Sequence, residues 1–219
     1  MNWDDSGYLL SKIKYSENSS IVEFYTKSHG KSSGLIFGST SKKIKNYLQI
    51  GNKFHVNYIS KNDNKTGYFK VEILKAFSPF FFEDKQKLLC LNCSMKLIKI
   101  LSVESEANSK IFFLLDDFFE ILISNNWINK YIFWELDLFS LIGYDLDLKK
   151  IVKSEIVNDK KQYFVESKSQ KKYVPDFLVE LNINEGNVIN LIDGLMIVGD
   201  YLEKSILKPN NIIYPIDRT

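Results

Sequence analysis

The spacing of the apolar residues changes near Ser78, and this change constrains the fold of the 219-residue chain more than any other feature. Before it, apolar and polar residues alternate over short runs bounded by turn residues, a pattern typical of half-buried β-strands. After it, apolar residues recur every three to four positions, as on one face of an α-helix. We therefore predict an α+β chain with a small β-domain at residues 1–80 and a helical domain at residues 81–219.

The first part predicts five strands with a short helix between the third and the fourth. The predicted strands cover residues 7–14, 20–27, 32–38, 53–60 and 68–77, and the helix falls within residues 42–50. This order is that of the OB-fold, a barrel that binds single-stranded nucleic acid on strands 2 and 3 and through its 1–2 and 4–5 loops. Other small barrels share much of the pattern and stay open as alternatives.

The second part predicts packed helices with one different stretch between them. Apolar residues at helical spacing cover residues 82–104, 109–124, 127–144 and 187–207. Residues 145–176 are rich in lysine, contain neither cysteine nor histidine, and have two β-like runs around "KSQ". This insert predicts a small hairpin within the helical domain.

Charge is distributed unevenly along the chain, although the whole carries only +2. Residues 1–78 contain 12 lysines against 6 carboxylates, whereas the remainder contains 17 basic and 21 acidic residues. A basic first part indicates an anionic partner. Because Arg218 is the only arginine, contact with phosphates is favoured over reading of base edges. An AT-rich genome would produce the same excess of lysine.

Six lysines of the first domain are candidates for contact with the phosphates of a nucleic acid. Three belong to the run "SKKIK" and three fall in predicted turns. They are Lys42, Lys43 and Lys45, and Lys31, Lys61 and Lys65. On a barrel these segments can line one groove, so we expect a phosphate track near Tyr25, Phe37 and Tyr58. A solvated charge run is the alternative.

The run "SHGKSSG" at residues 28–34 ends like a nucleotide-binding P-loop. That motif needs a further glycine five positions before Gly30 and a helix after the lysine. Tyr25 occupies the glycine position and a strand-like run follows. We therefore expect Gly30 to form a hairpin turn with positive φ and Gly34 to mark a point of barrel curvature.

Residues suited to catalysis or metal binding are few. Cys90 and Cys93 lack a second pair of zinc ligands and lie in an apolar run of helical period, which predicts burial. Asp116 and Glu120 share a predicted helical face, so a Mg²⁺-dependent nuclease is a remote alternative to a solvated helix surface. We expect no enzyme, no cofactor and no metal. Without an apolar signal or spanning segment, a cytoplasmic protein is expected.

Four stretches of the chain resemble the RecO family of bacterial DNA repair and recombination mediators. They are residues 6–43, "LQIGNKFHV" (48–56), "WELDLFSLIGYDLDL" (134–148) and, more weakly, "DGLMIVGDYLEKSIL" (193–207). The resemblance implies an N-terminal OB domain, a helical C-terminal domain, and binding and annealing of single- and double-stranded DNA at the nucleoid. It also implies two partners, RecR and the C-terminal tail of single-stranded-DNA-binding protein, and a DNA-contact role for Lys42, Lys43 and Lys45.

The chain departs from the family pattern in two places. Many members carry a four-cysteine zinc module where residues 145–176 lie, so here the module should be free of metal. Members often have arginine where Phe133 stands, a residue that suits an acidic tail; Lys130 is the nearest substitute. Lys130, Phe133 and Trp134 are the candidate partner-binding residues. A protein-interaction adaptor whose OB domain no longer binds DNA is the alternative function.

Overall fold

The computed structural model describes residues 2–60, 66–167, 170–182 and 188–213. The chain forms two compact units, and the division falls inside a helix, between Leu115 and Asp116. The first unit contains the strands of the predicted β-domain and the helical segments that directly follow them. The second contains further helices and a small sheet.

The first unit is built on a closed barrel of five strands in the order β1-β2-β3-β5-β4. The strands are β1 Asn2–Ser16, β2 Ser19–Thr26, β3 Gly30–Phe37, β4 Lys53–Ile59 and β5 Tyr68–Lys75. A short helix, α1 (Lys42–Tyr47), lies between β3 and β4. The barrel closes through a parallel contact of β3 with β5 and an antiparallel ladder of β1 with β4. This is the predicted OB-fold topology.

Strand β1 begins five residues earlier than the sequence predicts, because it pairs with two strands in succession. Its first residues, from Asn2 to Tyr8, face β4, and those from Gly7 onward face β2. A shift of register between Leu9 and Ser11 bends the strand where it changes partner. The polar run "NWDDS" gives no strand pattern of its own, so its extended conformation follows from the pairing with β4.

Buried apolar side chains fill the barrel. They are Leu9, Val22, Phe24, Ile36, Leu48, Phe54, Val56 and Phe69. The ring of Phe24 meets Phe54 and Phe69 edge-on, with centroids 5.7 and 5.1 Å away. Phe69 also lies against the backbone of Gly34, where a Cβ atom would be 2.7 Å from the ring. Gly30 has a φ of +63°, as expected for the turn before β3.

The amide of Asn52 holds the end of the barrel to the segment that leads into the helices. Its Oδ1 accepts hydrogen bonds from the backbone N–H groups of Phe77 (2.8 Å) and Ser78 (3.0 Å) and from the Ser78 hydroxyl (3.0 Å). Its Nδ2 donates to the carbonyl of Tyr47, 2.8 Å away. The side chain is fully buried, so each of these bonds replaces water that the amide has lost.

Helices follow the barrel, beginning with a 3-10 turn, Ser78–Phe81. Next come α2 (Lys85–Leu101) and α3 (Ser109–Ile123). The first turn of α2 is capped by Asp84, whose Oδ1 accepts from the N–H of Lys87 at 3.1 Å. Cys90 and Cys93 are buried on α2, as the apolar period predicts.

The second unit contains α4 (Trp127–Leu141), α5 (Leu148–Ile151), α6 (Asp176–Glu180) and α7 (Val188–Tyr201). Its aromatic core includes Trp134, whose ring lies 5.0 Å from Phe118 and 5.8 Å from Tyr131. Helix α7 continues into a π-helical turn and a 3-10 turn, Leu202–Leu207 and Lys208–Asn210. The predicted helix of residues 187–207 therefore changes its winding over its last six residues.

The insert contains a three-stranded antiparallel sheet, not a two-stranded hairpin. Its strands are β6 Lys153–Val157, β7 Lys160–Ser167 and β8 Gln170–Val174. β7 and β8 are the pair expected around "KSQ", and β6 adds a third strand. The ammonium group of Lys171 forms an ion pair with Glu155 across the sheet and lies 3.9 Å from the ring centroid of Phe164.

Candidate nucleic-acid interface

Helix α1 presents the three lysines of the run "SKKIK" to solvent. Lys42, Lys43 and Lys45 are all exposed, and none forms an ion pair among the described residues. The helix begins after Ser41, whose hydroxyl accepts a hydrogen bond from the N–H of Ile44. Ile44 packs against the barrel core. This anchoring fixes α1 on the barrel and leaves the lysine ammonium groups available to a ligand.

Lys12 adds a fourth positive charge beside this helix, which sequence reasoning missed. Its ammonium group donates a hydrogen bond of 2.7 Å to the carbonyl of Leu48, just after α1. Burial lowers the pKa of Lys12, and repulsion from Lys45 lowers it further. The ammonium groups of Lys12 and Lys45 are thus close enough to repel each other, and an incoming phosphate would relieve that repulsion.

An apolar patch, the barrel-face patch, lies on the outer surface of the barrel. The strand register aligns Ile13 with Ile21, Ile21 with Leu35 and Leu35 with Tyr68, and Phe37 shares the face of Leu35 two residues on. The rings of Phe37 and Tyr68 lie 5.6 Å apart. Ile13 and Phe37 are each 58% exposed. The patch therefore offers rings on which unpaired bases can stack.

The barrel-face patch and the α1 lysines belong to neighbouring parts of the chain. Phe37 and Lys42 are separated by five residues, so they lie at most about 18 Å apart. The connecting segment is fixed to the β1–β2 turn, because the N–H of Gly38 donates to the carbonyl of Asn18 at 2.7 Å. The Ser39 and Ser20 hydroxyls are 2.9 Å apart in the same region. The segment that joins the patch to α1 is thus attached to β2 and to the β1–β2 turn.

Another part of the same face is covered by the end of α2. The ammonium group of Lys99 forms an ion pair with Glu23 on β2. Lys31 donates a hydrogen bond of 2.9 Å to the carbonyl of Lys99 and lies 4.0 Å from Glu104. Ser33 donates to Glu104 at 2.8 Å. Lys31, a predicted phosphate contact, is therefore engaged within the chain and only 15% of its side chain is exposed.

The remaining predicted positions differ from one another. Lys61 and Lys65 lie outside the described residues. Tyr25, near which the phosphate track was expected, is fully buried, and its hydroxyl donates to the carbonyl of Asn108 at 3.2 Å. Burial is the main cause that raises the pKa of its phenol. Tyr58 is half-buried and stacks on Trp3, 5.0 Å between ring centroids.

A stack of rings at the start of β1 was also missed. Trp3 lies between Tyr58 and His29, with the His29 ring 4.0 Å away and 9° from parallel. Nδ1 of His29 is 3.0 Å from Oδ2 of Asp5. The same carboxylate accepts hydrogen bonds from the N–H groups of Ser28 (2.7 Å) and Ser6 (2.8 Å). Asp5 thereby fixes the β2–β3 turn to β1.

The three candidate partner-binding residues lie on α4. Trp134 is 1% exposed, so its indole belongs to the core of the second unit. Phe133 is half-buried and meets Phe177 edge-on at 6.1 Å. Lys130 lies one helical turn before Phe133 on the same face and is half-buried. Only Lys130 carries the positive charge expected of a site for an acidic tail.

Two other kinds of site are absent from the described residues. No helix in this part of the chain is long and apolar enough to cross a membrane. Across the same residues, no group of three or more histidine, cysteine, aspartate or glutamate side chains is arranged to hold a metal ion. Asp116 and Glu120 both lie on α3, as predicted.

Comparison with known proteins matches both halves of the chain. Family models described as "Recombination protein O N terminal" and "Recombination protein O C terminal" match residues 1–77 and 83–196. "DNA repair protein RecO" of Rickettsia peacockii (strain Rustic) is 35% identical over 159 residues, which are 73% of this chain and 67% of that protein. The protein of the same name from Rickettsia canadensis (strain McKiel) is 34% identical over 77% of this chain and 69% of its own length. That from Ehrlichia chaffeensis (strain ATCC CRL-10679 / Arkansas) is 32% identical over 68% of this chain and 62% of its own length.

Proposed function

Since the chain belongs to the recombination protein O family of DNA repair proteins, we propose that it binds single- and double-stranded DNA without sequence preference and promotes strand annealing. In this role it is a non-enzymatic mediator that helps to load the recombinase. It acts at the bacterial nucleoid, in the cytoplasm. Its proposed partners are RecR and the acidic C-terminal tail of single-stranded-DNA-binding protein, which the family resemblance suggests.

The observation that carries this proposal is the pairing of exposed α1 lysines with the barrel-face patch. Lysine ammonium groups are mobile point charges that neutralise phosphates without reading bases. Aromatic rings accept any base, because every base has a flat face. Lys42, Lys43 and Lys45 would hold the backbone of either kind of DNA, whereas Phe37 and Tyr68 would add stacking energy only for unpaired bases.

The direct test replaces Lys42, Lys43 and Lys45 together by alanine. Affinity for DNA of any sequence should fall, and the dependence of log affinity on log salt should flatten by about 3 for duplex and about 2 for single strands. A matched variant replaces three exposed lysines elsewhere, Lys85, Lys110 and Lys160, so the net charge changes equally. Equal affinities of the two triple variants would remove α1 from the interface.

Annealing is tested with two complementary strands, without nucleotide or metal, with and without single-stranded-DNA-binding protein. The mediator function is supported if the parent protein accelerates annealing of the two strands and the α1 triple variant does not. The triple variant should lose activity in proportion to its loss of DNA affinity, because phosphate neutralisation is what allows two strands to approach. Undiminished annealing by that variant would contradict the proposed route.

A second candidate function is an interaction adaptor with no DNA binding. The coverage of part of the barrel face by α2, through Lys99–Glu23 and Lys31–Lys99, favours this candidate. It predicts binding of a fluorescent acidic tail peptide together with no detectable binding of DNA at low salt. Measuring both ligands on the same preparation distinguishes it from the mediator.

A further inference from the structure

A groove lies within the second unit between α4, α6 and the chain that enters α5. It has a volume of about 260 Å³. Small-molecule pockets generally occupy roughly 300–1,000 Å³. This groove is slightly smaller and has room for one or two side chains of a partner. No step of the proposed DNA binding uses it.

The floor of the groove is apolar. It is formed by Phe133 and Leu136 of α4, Leu148 of α5, and Leu178 and Val179 of α6. Leu148, Leu178 and Val179 are buried at 5% exposure or less. Leu181, at the end of α6, completes the wall and is 58% exposed. A leucine this exposed beside an apolar floor offers contact area to a bound side chain.

The rim of the groove carries three carboxylates, Asp137, Asp145 and Asp147, against one lining lysine, Lys149. Asp147 forms an ion pair of 2.8 Å with Lys150, which partly neutralises that side. Asp145 acts on Lys150 through space and helps to raise its pKa. The rim is therefore predominantly negative, and Asp137 is its carboxylate on α4.

Of the three rim carboxylates, Asp137 is the one that a bound cation would stabilise most. Among the described residues it has neither a hydrogen bond nor an ion pair. The residue is exposed at the surface, but partial desolvation of its carboxyl raises its pKa above the ordinary aspartate value, because the charged form has lost part of its hydration. A cation placed at the rim would stabilise the charged form and complete the site.

We propose that this groove binds a cationic peptide segment of a partner protein, in which one apolar side chain enters the floor and neighbouring lysines or arginines meet the aspartates of the rim. The charge selects this occupant. An acidic peptide at the same place would face Asp137 and Asp145 with like charge, which is a strongly unfavourable arrangement across an interface.

The test uses the full chain without DNA, at physiological ionic strength, and fluorescence anisotropy of labelled hexapeptides. The probe has a Leu-Phe centre flanked by two lysines on each side. A second peptide replaces the lysines by glutamates, and a third keeps the lysines but has a Ser-Ser centre. We expect the first to bind about ten-fold or more tightly than the second, and the third to bind weakly because it lacks an anchor.

Variants locate the binding. Asp137→Asn should weaken the lysine peptide about two- to five-fold, the value of one partly exposed charge pair, and leave the glutamate peptide unaffected or slightly improved. Leu181→Ser, at an exposed position, should weaken binding of the lysine peptide with the Leu-Phe centre. Asp117→Asn on α3, an exposed aspartate of the same unit, is the charge-matched control and should change nothing.

Three outcomes of the peptide measurements would overturn the proposal. These are binding of the glutamate peptide as tight as that of the lysine peptide, no saturable binding of either, or equal effects of Asp137→Asn and Asp117→Asn. Sedimentation velocity tests one further occupant. If the chain self-associates and Asp137→Asn abolishes the association, the groove is filled by a second copy, and the assignment to a partner protein is wrong.

Discussion

The ammonium group of Lys31 donates a hydrogen bond of 2.9 Å to the backbone carbonyl of Lys99, and so connects β3 to the end of α2. Lys31, which the sequence predicts to contact DNA phosphates, thus joins β3 to α2 within the first unit. Substitution of Lys31 distinguishes the two roles. Loss of the hydrogen bond to Lys99 would lower the stability of the protein, whereas loss of a phosphate contact would lower its salt-dependent affinity for DNA.

We predict that Lys31→Met lowers the free energy of unfolding by about 1.5–3 kcal/mol, the usual contribution of a hydrogen bond that involves a charged group. DNA affinity should change much less than in the α1 triple variant. Urea denaturation and DNA titration of the same variant measure the two quantities. If stability is unchanged and DNA affinity falls strongly, Lys31 contacts DNA after all.

Phe37→Ala should weaken binding of single-stranded DNA more than binding of duplex. Loss of one stacked base costs about 1–3 kcal/mol, and paired bases cannot reach the ring. The side chain is 58% exposed, so little stability should be lost. Phe80, 73% exposed in the same unit, provides the control: Phe80→Ala removes an exposed ring and should leave both affinities as they are.

Gly30→Ala should be among the most destabilising changes of the first unit. A Cβ atom there would lie 2.0 Å from the carbonyl oxygen of Glu106, and the φ of +63° already disfavours any side chain. Gly143 has a φ of +89° but no atom within 4 Å of its added Cβ. Gly143→Ala therefore measures the backbone cost alone, of order 1–3 kcal/mol, and Gly30→Ala should exceed it. Thermal unfolding of the two variants decides this.

The stability of the second unit should depend on pH through Asp137. Its pKa is raised by partial desolvation, so the folded state holds a proton that the unfolded state has released between the ordinary aspartate pKa and the raised one. Stability then falls as pH rises through that window. Asp137→Asn should therefore be slightly more stable than the parent at neutral pH.

The advantage of Asp137→Asn should disappear below the ordinary aspartate range, where the parent carboxyl is protonated in both states. Denaturant unfolding at a series of pH values measures it, with Asp117→Asn alongside. A constant difference between Asp137→Asn and the parent at every pH would mean that the effect has a cause other than ionisation.

Local sequence patterns were sufficient for most of the elements. Alternation predicted β2, β4 and β5 within two residues of their observed ends, and the turn glycine at Gly30 was predicted from its neighbours. The first residues of β1 and the strand β6 were missed, because neither run alternates and both become strands by pairing with a neighbour. The partner of the first residues of β1 is β4, far along the chain, and it leaves no mark in the local pattern of β1.

By itself, the sequence determined the order of five strands and the following helices, since hydrophobic period is a property of consecutive residues. It also determined which lysines follow β3. Only the tertiary structure decided which side chains lie exposed on the same surface. Barrel closure buried Tyr25 and aligned Ile13, Ile21, Leu35 and Tyr68 on one outer face. Helix packing in the second unit placed three aspartates around an apolar groove at Phe133. Such sets depend on strand register and helix packing, which are fixed by contacts between residues distant in sequence.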